Sequence, residues 1–148
     1  MLHPSDLPQY RGGSPIQNQI LNGVKISAVS IFRMTSEMDA GPILKKAPLM
    51  LTGDIDDIFD RLTIIGTSLT IEIVTRYPEE VLQNSAEATN FPRRLPYMSE
   101  ITKEDLENQS AQYLHDKVRC LTGPYPRAYI IAGDGSRLYI EKTSLNSD

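Results

Sequence analysis

The chain has 148 residues, 40% of them hydrophobic, and a net charge of −4 from 15 basic and 19 acidic side chains. These figures fit one globular domain, or one and a small piece, and argue against a nucleic-acid scaffold, which carries a basic face; a local patch such as Arg93-Arg94 stays open. No apolar run reaches the ~20 residues of a membrane span, no signal-peptide pattern opens the chain, and the lone Cys120 makes neither an internal disulfide nor a zinc cluster, so a cytoplasmic protein is expected.

Residues 1–15 hold Pro4, Pro8, Pro15, Gly12 and Gly13, a composition for an ordered loop. Ile16 to Leu21 spaces its apolar side chains for a short helix that stops at Asn22-Gly23. Val24 to Met34 is rich in β-branched residues and reads as a strand. A loop follows over residues 35–42, then a second strand from Ile43 to Leu51, in which Pro48 implies an edge or a break. The clearest helix opens at Asp54, with Asp56 and Asp57 in its first turn and Ile55, Ile58, Phe59, Leu62, Ile65, Leu69 and Ile73 on one stripe. Gly66 inside it costs ~1 kcal/mol relative to Ala, which marks close packing. Pro78 breaks this helix, and residues 79–82 read as the start of another turn.

Residues 83–97 are polar and then Pro-rich, the composition of a linker crossing the surface. Ser110 caps a further helix with the stripe Leu114, Val118 and Leu121, ended by Thr122-Gly123-Pro124-Tyr125-Pro126. Short strands at residues 128–132 and 137–143 flank Gly133-Asp134-Gly135-Ser136, a hairpin turn. The tail from Ser144 to Asp148 is polar and is expected to fray. Cys120 lies in an apolar stretch and reads as a core thiol.

Two side chains stand where chemistry is possible. His3 is followed by Pro4 and reads either as part of a loose terminus or as a fixed imidazole able to move a proton or steady an oxyanion. Asp39, in the tight loop Met38-Asp39-Ala40-Gly41-Pro42, either caps backbone amides or accepts a proton from an attacking amine. His115 sits beside the Leu114 stripe and reads as structural. Metal constellations, a Walker loop and a nucleophile elbow have no counterpart in the sequence, and Gly133-Asp134-Gly135 lacks the strand-turn-helix context of a dinucleotide fingerprint.

The run from Leu2-His3-Pro4-Ser5 through Tyr10-Arg11-Gly12-Gly13-Ser14-Pro15-Ile16-Gln17, followed at the right spacing by Met38-Asp39-Ala40-Gly41-Pro42-Ile43, resembles the active-site segments of the 10-formyltetrahydrofolate-dependent formyltransferases. The family acts on methionyl-tRNA, glycinamide ribonucleotide and amino sugars. Phe91-Pro92-Arg93-Arg94-Leu95-Pro96 resembles the linker of members that act on amino sugars or similar small amines, and residues 118–128 resemble the start of the family's C-terminal region.

The resemblance implies an α/β fold: the C-terminal half of a Rossmann-like catalytic domain over residues 1–83, a linker over 84–102, and a small α+β piece over 103–148. It implies His3 and Asp39 as catalytic residues, with the backbone of Met34 to Asp39, including Thr35 and Met38, against the pterin of 10-formyltetrahydrofolate. In the implied reaction an amine attacks the formyl carbon, an Asn-x-His pair stabilises the oxyanion, and Asp39 helps deprotonate the amine. The asparagine belongs at position 1, where this chain has Met1, and leucine is usual where Asp6 stands. The family's first βαβ half is expected upstream of Met1, so the chain is expected to be N-terminally truncated and inactive alone. The expected acceptor is a nucleotide-linked amino sugar; a truncated methionyl-tRNA enzyme, or a non-catalytic interaction module, is the alternative. Self-association, or a separate chain supplying the first half, follows from the sheet edge this leaves.

Overall fold

The computed structural model describes residues 1–123 and 125–145. Pro124, part of the expected helix stop, and the last three residues of the expected frayed tail lie outside them.

The strand β1 (Leu2–His3), β2 (Arg11–Gly12), helix α1 (Pro15–Leu21), β3 (Ile26–Phe32), β4 (Ile43–Met50) and helix α2 (Ile55–Thr75) make the first body of structure. Three of these strands form an antiparallel sheet in the order β1-β3-β4. Its central strand β3 is buried at six of seven positions, so it reads as an apolar run rather than a strict alternation. Pro48 sits on β4, an edge strand, where a missing N–H costs least.

Helix α2 lies across β3 and β4 and buries Ile55, Ile58 and Leu69 against Val29, Leu49 and Leu51. Each such side chain contributes about 1.5–3 kcal/mol when fully buried. The N-terminus of α2 is closed by the Asp57 carboxylate, which accepts from the Asp54 N–H at 3.0 Å. Gly66 is where the sequence places close packing: a Cβ there would come within 2.5 Å of the Leu2 side chain.

Beyond α2 the structure departs from the sequence reading. Residues 79–82 do not start a turn of helix. Val81 instead exchanges two backbone hydrogen bonds with Ile43, of 2.8 and 2.9 Å, and extends the sheet. The expected surface linker is docked: β5 (Asn90–Phe91) pairs in parallel with β2, and Phe91 stacks on Tyr10 with ring centroids 4.8 Å apart.

Helix α3 (Lys103–Asn108) had no apolar stripe to announce it. It stands on a reciprocal cap, in which the Thr102 hydroxyl accepts from Asp105 N–H and the Asp105 carboxylate from Thr102 N–H, each at 3.0 Å. Helix α4 (Ala111–Arg119) is capped by Ser110 as expected and ends before Cys120, a turn short of the predicted stop. A hairpin of β6 (Ala128–Ile131) and β7 (Arg137–Ile140) closes the described chain.

Cys120 is fully buried, and burial pushes its thiol pKa up to about 12. His115 bonds the Thr143 hydroxyl at 2.9 Å, in keeping with its structural reading. Among the described residues, no helix is long and apolar enough to cross a membrane, and no cluster of three His, Cys, Asp or Glu could hold a metal ion.

Candidate active site

The loop after β1 is held from below by side chains of β3 and α1. The Ser30 hydroxyl donates to the Ser5 carbonyl at 2.6 Å, Ser5 donates to the Gln9 carbonyl at 2.7 Å, and the Gln19 amide donates to the Pro4 carbonyl at 2.8 Å. His3 is therefore no loose terminus. It pairs with Ser30 across the sheet and is only 6% exposed.

Its ring orientation follows from one contact. Nε2 lies 2.8 Å from the Tyr10 carbonyl oxygen. A carbonyl only accepts, so Nε2 carries a hydrogen. Nδ1 points at the Asp39 carboxylate, with Oδ2 3.6 Å away. That distance is longer than a direct hydrogen bond and leaves the pair to close on, or to share a proton through, a third group.

Asp39 fits the capping reading. Its Oδ2 caps a backbone amide, accepting from Gly12 N–H at 2.8 Å, and the same oxygen faces His3. Its backbone has φ 53°, the left-handed region, which Asp tolerates better than most residues. The loop closes tightly behind it: a Cβ on Gly41 would sit 1.7 Å from the Arg33 carbonyl oxygen, so no other residue fits there without movement. Gly12, with φ 98°, brings the backbone N–H onto Asp39 while its Cα faces the Phe91 carbonyl; a Cβ would be 2.3 Å from that oxygen.

The residues expected to meet a pterin are open. Met34 and Met38 are 68% and 71% exposed, and Thr35 is exposed beside them. Met38 directly precedes Asp39 in this loop.

Two members of the site carried no role in the sequence reading. Arg11 is buried, and its Nε and Nη2 donate to the Gln83 Oε1 at 3.2 and 2.8 Å. Gln83 Nε2 donates to the carbonyls of Asp39 and Gly41 at 2.8 and 2.7 Å. Arg11 stood inside the Pro/Gly loop as a possible signal; Gln83 opened a polar stretch and gave none. A separate groove lies between β4 and the end of α2 at Lys45, Ile71, Glu72 and Arg76, and holds no histidine and no member of this site.

The sequence profile of the formyl transferase family matches residues 1–74. A methionyl-tRNA formyltransferase of Protochlamydia amoebophila is 37% identical over 154 residues, covering 96% of this chain and 46% of that protein. The solved methionyl-tRNA formyltransferase from Clostridium thermocellum superposes with a TM-score of 0.88 at 36% identity, over 98% of this chain and 62% of that one. A sugar N-formyltransferase from a Shewanella species gives a TM-score of 0.78 at 20% identity, over 99% and 61%, which shows the shared fold alone. The chain belongs to the formyl transferase family, with the Rossmann-like α/β fold its sequence implied. It spans about half the length of the curated relatives it matches.

Proposed function

We propose that this chain carries the proton-handling half of a formyl-transfer site, with 10-formyltetrahydrofolate as donor and the amine of methionyl-tRNA as acceptor. The observation that carries the reading is the convergence of His3 Nδ1 on the Asp39 carboxylate, at the end of a loop in which Met34 and Met38 are exposed. The donor supplies an activated formyl group to an attacking amine. Met34, Thr35 and Met38 would line its ring through backbone and thioether contacts. The amine attacks the formyl carbon and the bond from that carbon to N10 breaks; Asp39, held in place by the Gly12 N–H, takes the amine proton and returns it to N10, so that tetrahydrofolate leaves with an N–H, while an N–H of the His3 ring donates toward the developing negative charge.

The acceptor assignment rests on degree of likeness. Proteins named as methionyl-tRNA formyltransferases are 33–37% identical across 86–99% of the chain, whereas a sugar N-formyltransferase shares the fold at 20%. This shifts the balance from the amino-sugar acceptor expected from residues 91–96 to the tRNA alternative. A cytoplasmic setting goes with that reading.

A chimera tests it: residues 2–148 of this chain in place of the matching segment of the Clostridium thermocellum enzyme. Formylation of methionyl-tRNA, falling about 10²–10⁴-fold in Asp39→Asn, is the expected result. Formylation of an amino-sugar nucleotide instead would move the acceptor back, and a folded but inactive chimera would defeat the proposal.

A further inference from the structure

We propose that Gln83, gripped by the buried Arg11, is a positioning residue that holds the Asp39 carboxylate on the Gly12 N–H and so beside His3. The value of that pose for formyl transfer rests on the proposed function; the brace itself stands on geometry alone.

The Gln83 amide is fully committed. Its two N–H donors go to the carbonyls of Asp39 and Gly41, and its oxygen takes two N–H groups of Arg11. Chemistry fixes the amide's orientation: a guanidinium cannot accept and a carbonyl cannot donate, so the reverse placement of oxygen and nitrogen would break all four bonds.

These bonds close a ring through three segments of the chain. Arg11 precedes Gly12; the Gly12 N–H meets the Asp39 side chain; the Asp39 carbonyl meets Gln83; and Gln83 returns to Arg11. Gln83 is delivered by the Val81–Ile43 bridge two residues earlier. Asp39 needs such a hold. A non-glycine residue at φ 53° occupies a sparsely populated conformation, which persists where its surroundings over-determine it. No other side chain donates twice and accepts twice at this reach. Glutamate keeps the Arg11 partner and loses both donors.

Backbone amide exchange on the full chain tests the proposal, with Gly12 as reporter. Its chain neighbours are internal controls: Arg11 N–H donates to the Thr89 carbonyl and Gly13 N–H to the Phe91 carbonyl, both at 2.9 Å, and neither involves Asp39. In Gln83→Ala and Gln83→Glu, exchange at Gly12 is expected to rise about tenfold or more, as expected for two lost hydrogen bonds, with Arg11 and Gly13 near wild type. The His3 Nδ1 resonance, which reports the nitrogen facing the carboxylate, moves in both variants.

Unchanged Gly12 protection in both variants would overturn the proposal. So would equal loss at all three amides, through unfolding or through release of the whole segment, because Gln83 would then be a tether only. Folate is absent from this readout. Failure of donor binding defeats the proposed function and leaves the brace standing; even protection with binding intact defeats the brace alone.

Discussion

The Nδ1 of His3 and the Oδ2 of Asp39 face each other at 3.6 Å, and the second nitrogen of His3 is spoken for by the Tyr10 carbonyl. The pair therefore has a direction. One nitrogen orients the ring, the other faces the carboxylate, and that carboxylate is held by a backbone N–H from β2.

That geometry lacks one element implied by the family resemblance. Met1, two residues before His3 and hydrogen-bonded through its backbone to Phe32, offers a thioether where a side-chain amide is expected. Loss of one oxyanion donor costs about 10²–10³ in rate. The 148-residue chain is expected to show no turnover with 10-formyltetrahydrofolate and either methionyl-tRNA or an amino-sugar nucleotide. Turnover that Asp39→Ala abolishes would contradict this expectation.

Gly41→Ala places a methyl group against the Arg33 carbonyl oxygen. The loop carrying Asp39 must shift, and a loss of about 1–3 kcal/mol is expected, the range for steric overpacking. Urea denaturation measures it, and wild-type stability with an unmoved Asp39 resonance would show that the loop yields elsewhere.

Burial raises the Cys120 thiol to about 12, above its ordinary 9.0. The folded state favours the neutral thiol, so its contribution to stability is complete below pH 9 and declines as the unfolded thiol ionises between about 9 and 12. At pH 8 the native thiol is expected to resist an aromatic disulfide reagent and to react at once in denaturant. Fast labelling of the folded chain would refute this.

For Asp105, burial pushes the carboxyl pKa up, but the Lys117 ammonium and the Thr102 contacts outweigh burial and leave it below the ordinary 3.8. A lowered carboxylate stabilises the fold above its unfolded value, and this contribution fades as pH falls below 3.8 and through the folded value. Helix α3 is expected to lose amide protection in that acid range ahead of the sheet. In Asp105→Asn, protection is weaker at neutral pH and the acid step disappears.

Ile64, Ile71 and Val74 of α2 project into solvent, and Leu2, on the two-residue edge strand β1, lies over the same helix at Gly66. Exposed apolar surface beside an open edge favours association. We expect concentration-dependent sedimentation, reduced in Ile71→Lys. A monomer at every concentration, without apolar dye binding, would contradict it.

Much of this arrangement was legible in the residues, for physical reasons. Pro4, Pro8, Gly12 and Gly41 disfavour long helix and strand, so the two segments with His3 and Asp39 stood out. The periodic apolar stripe of α2 gave that helix and its buried face. What the sequence hid rests on single hydrogen bonds between distant segments. Val81 reads as part of a turn until Ile43 pairs with it, Asn90 and Phe91 need β2 as a partner, and Gln83 acquires meaning only where two carbonyls and a guanidinium meet. Helix α3 is six residues long and held by its cap, so no periodicity could reveal it.

The central claim is that His3, Asp39 and the open loop before Asp39 receive the folate donor. Titrating the full chain with tetrahydrofolate and following backbone and imidazole resonances tests it most directly. The account predicts saturable shifts at Met34, Thr35, Met38, Asp39 and the His3 ring. Shifts confined to the groove at Lys45, Glu72 and Arg76, or none at millimolar ligand, would contradict it.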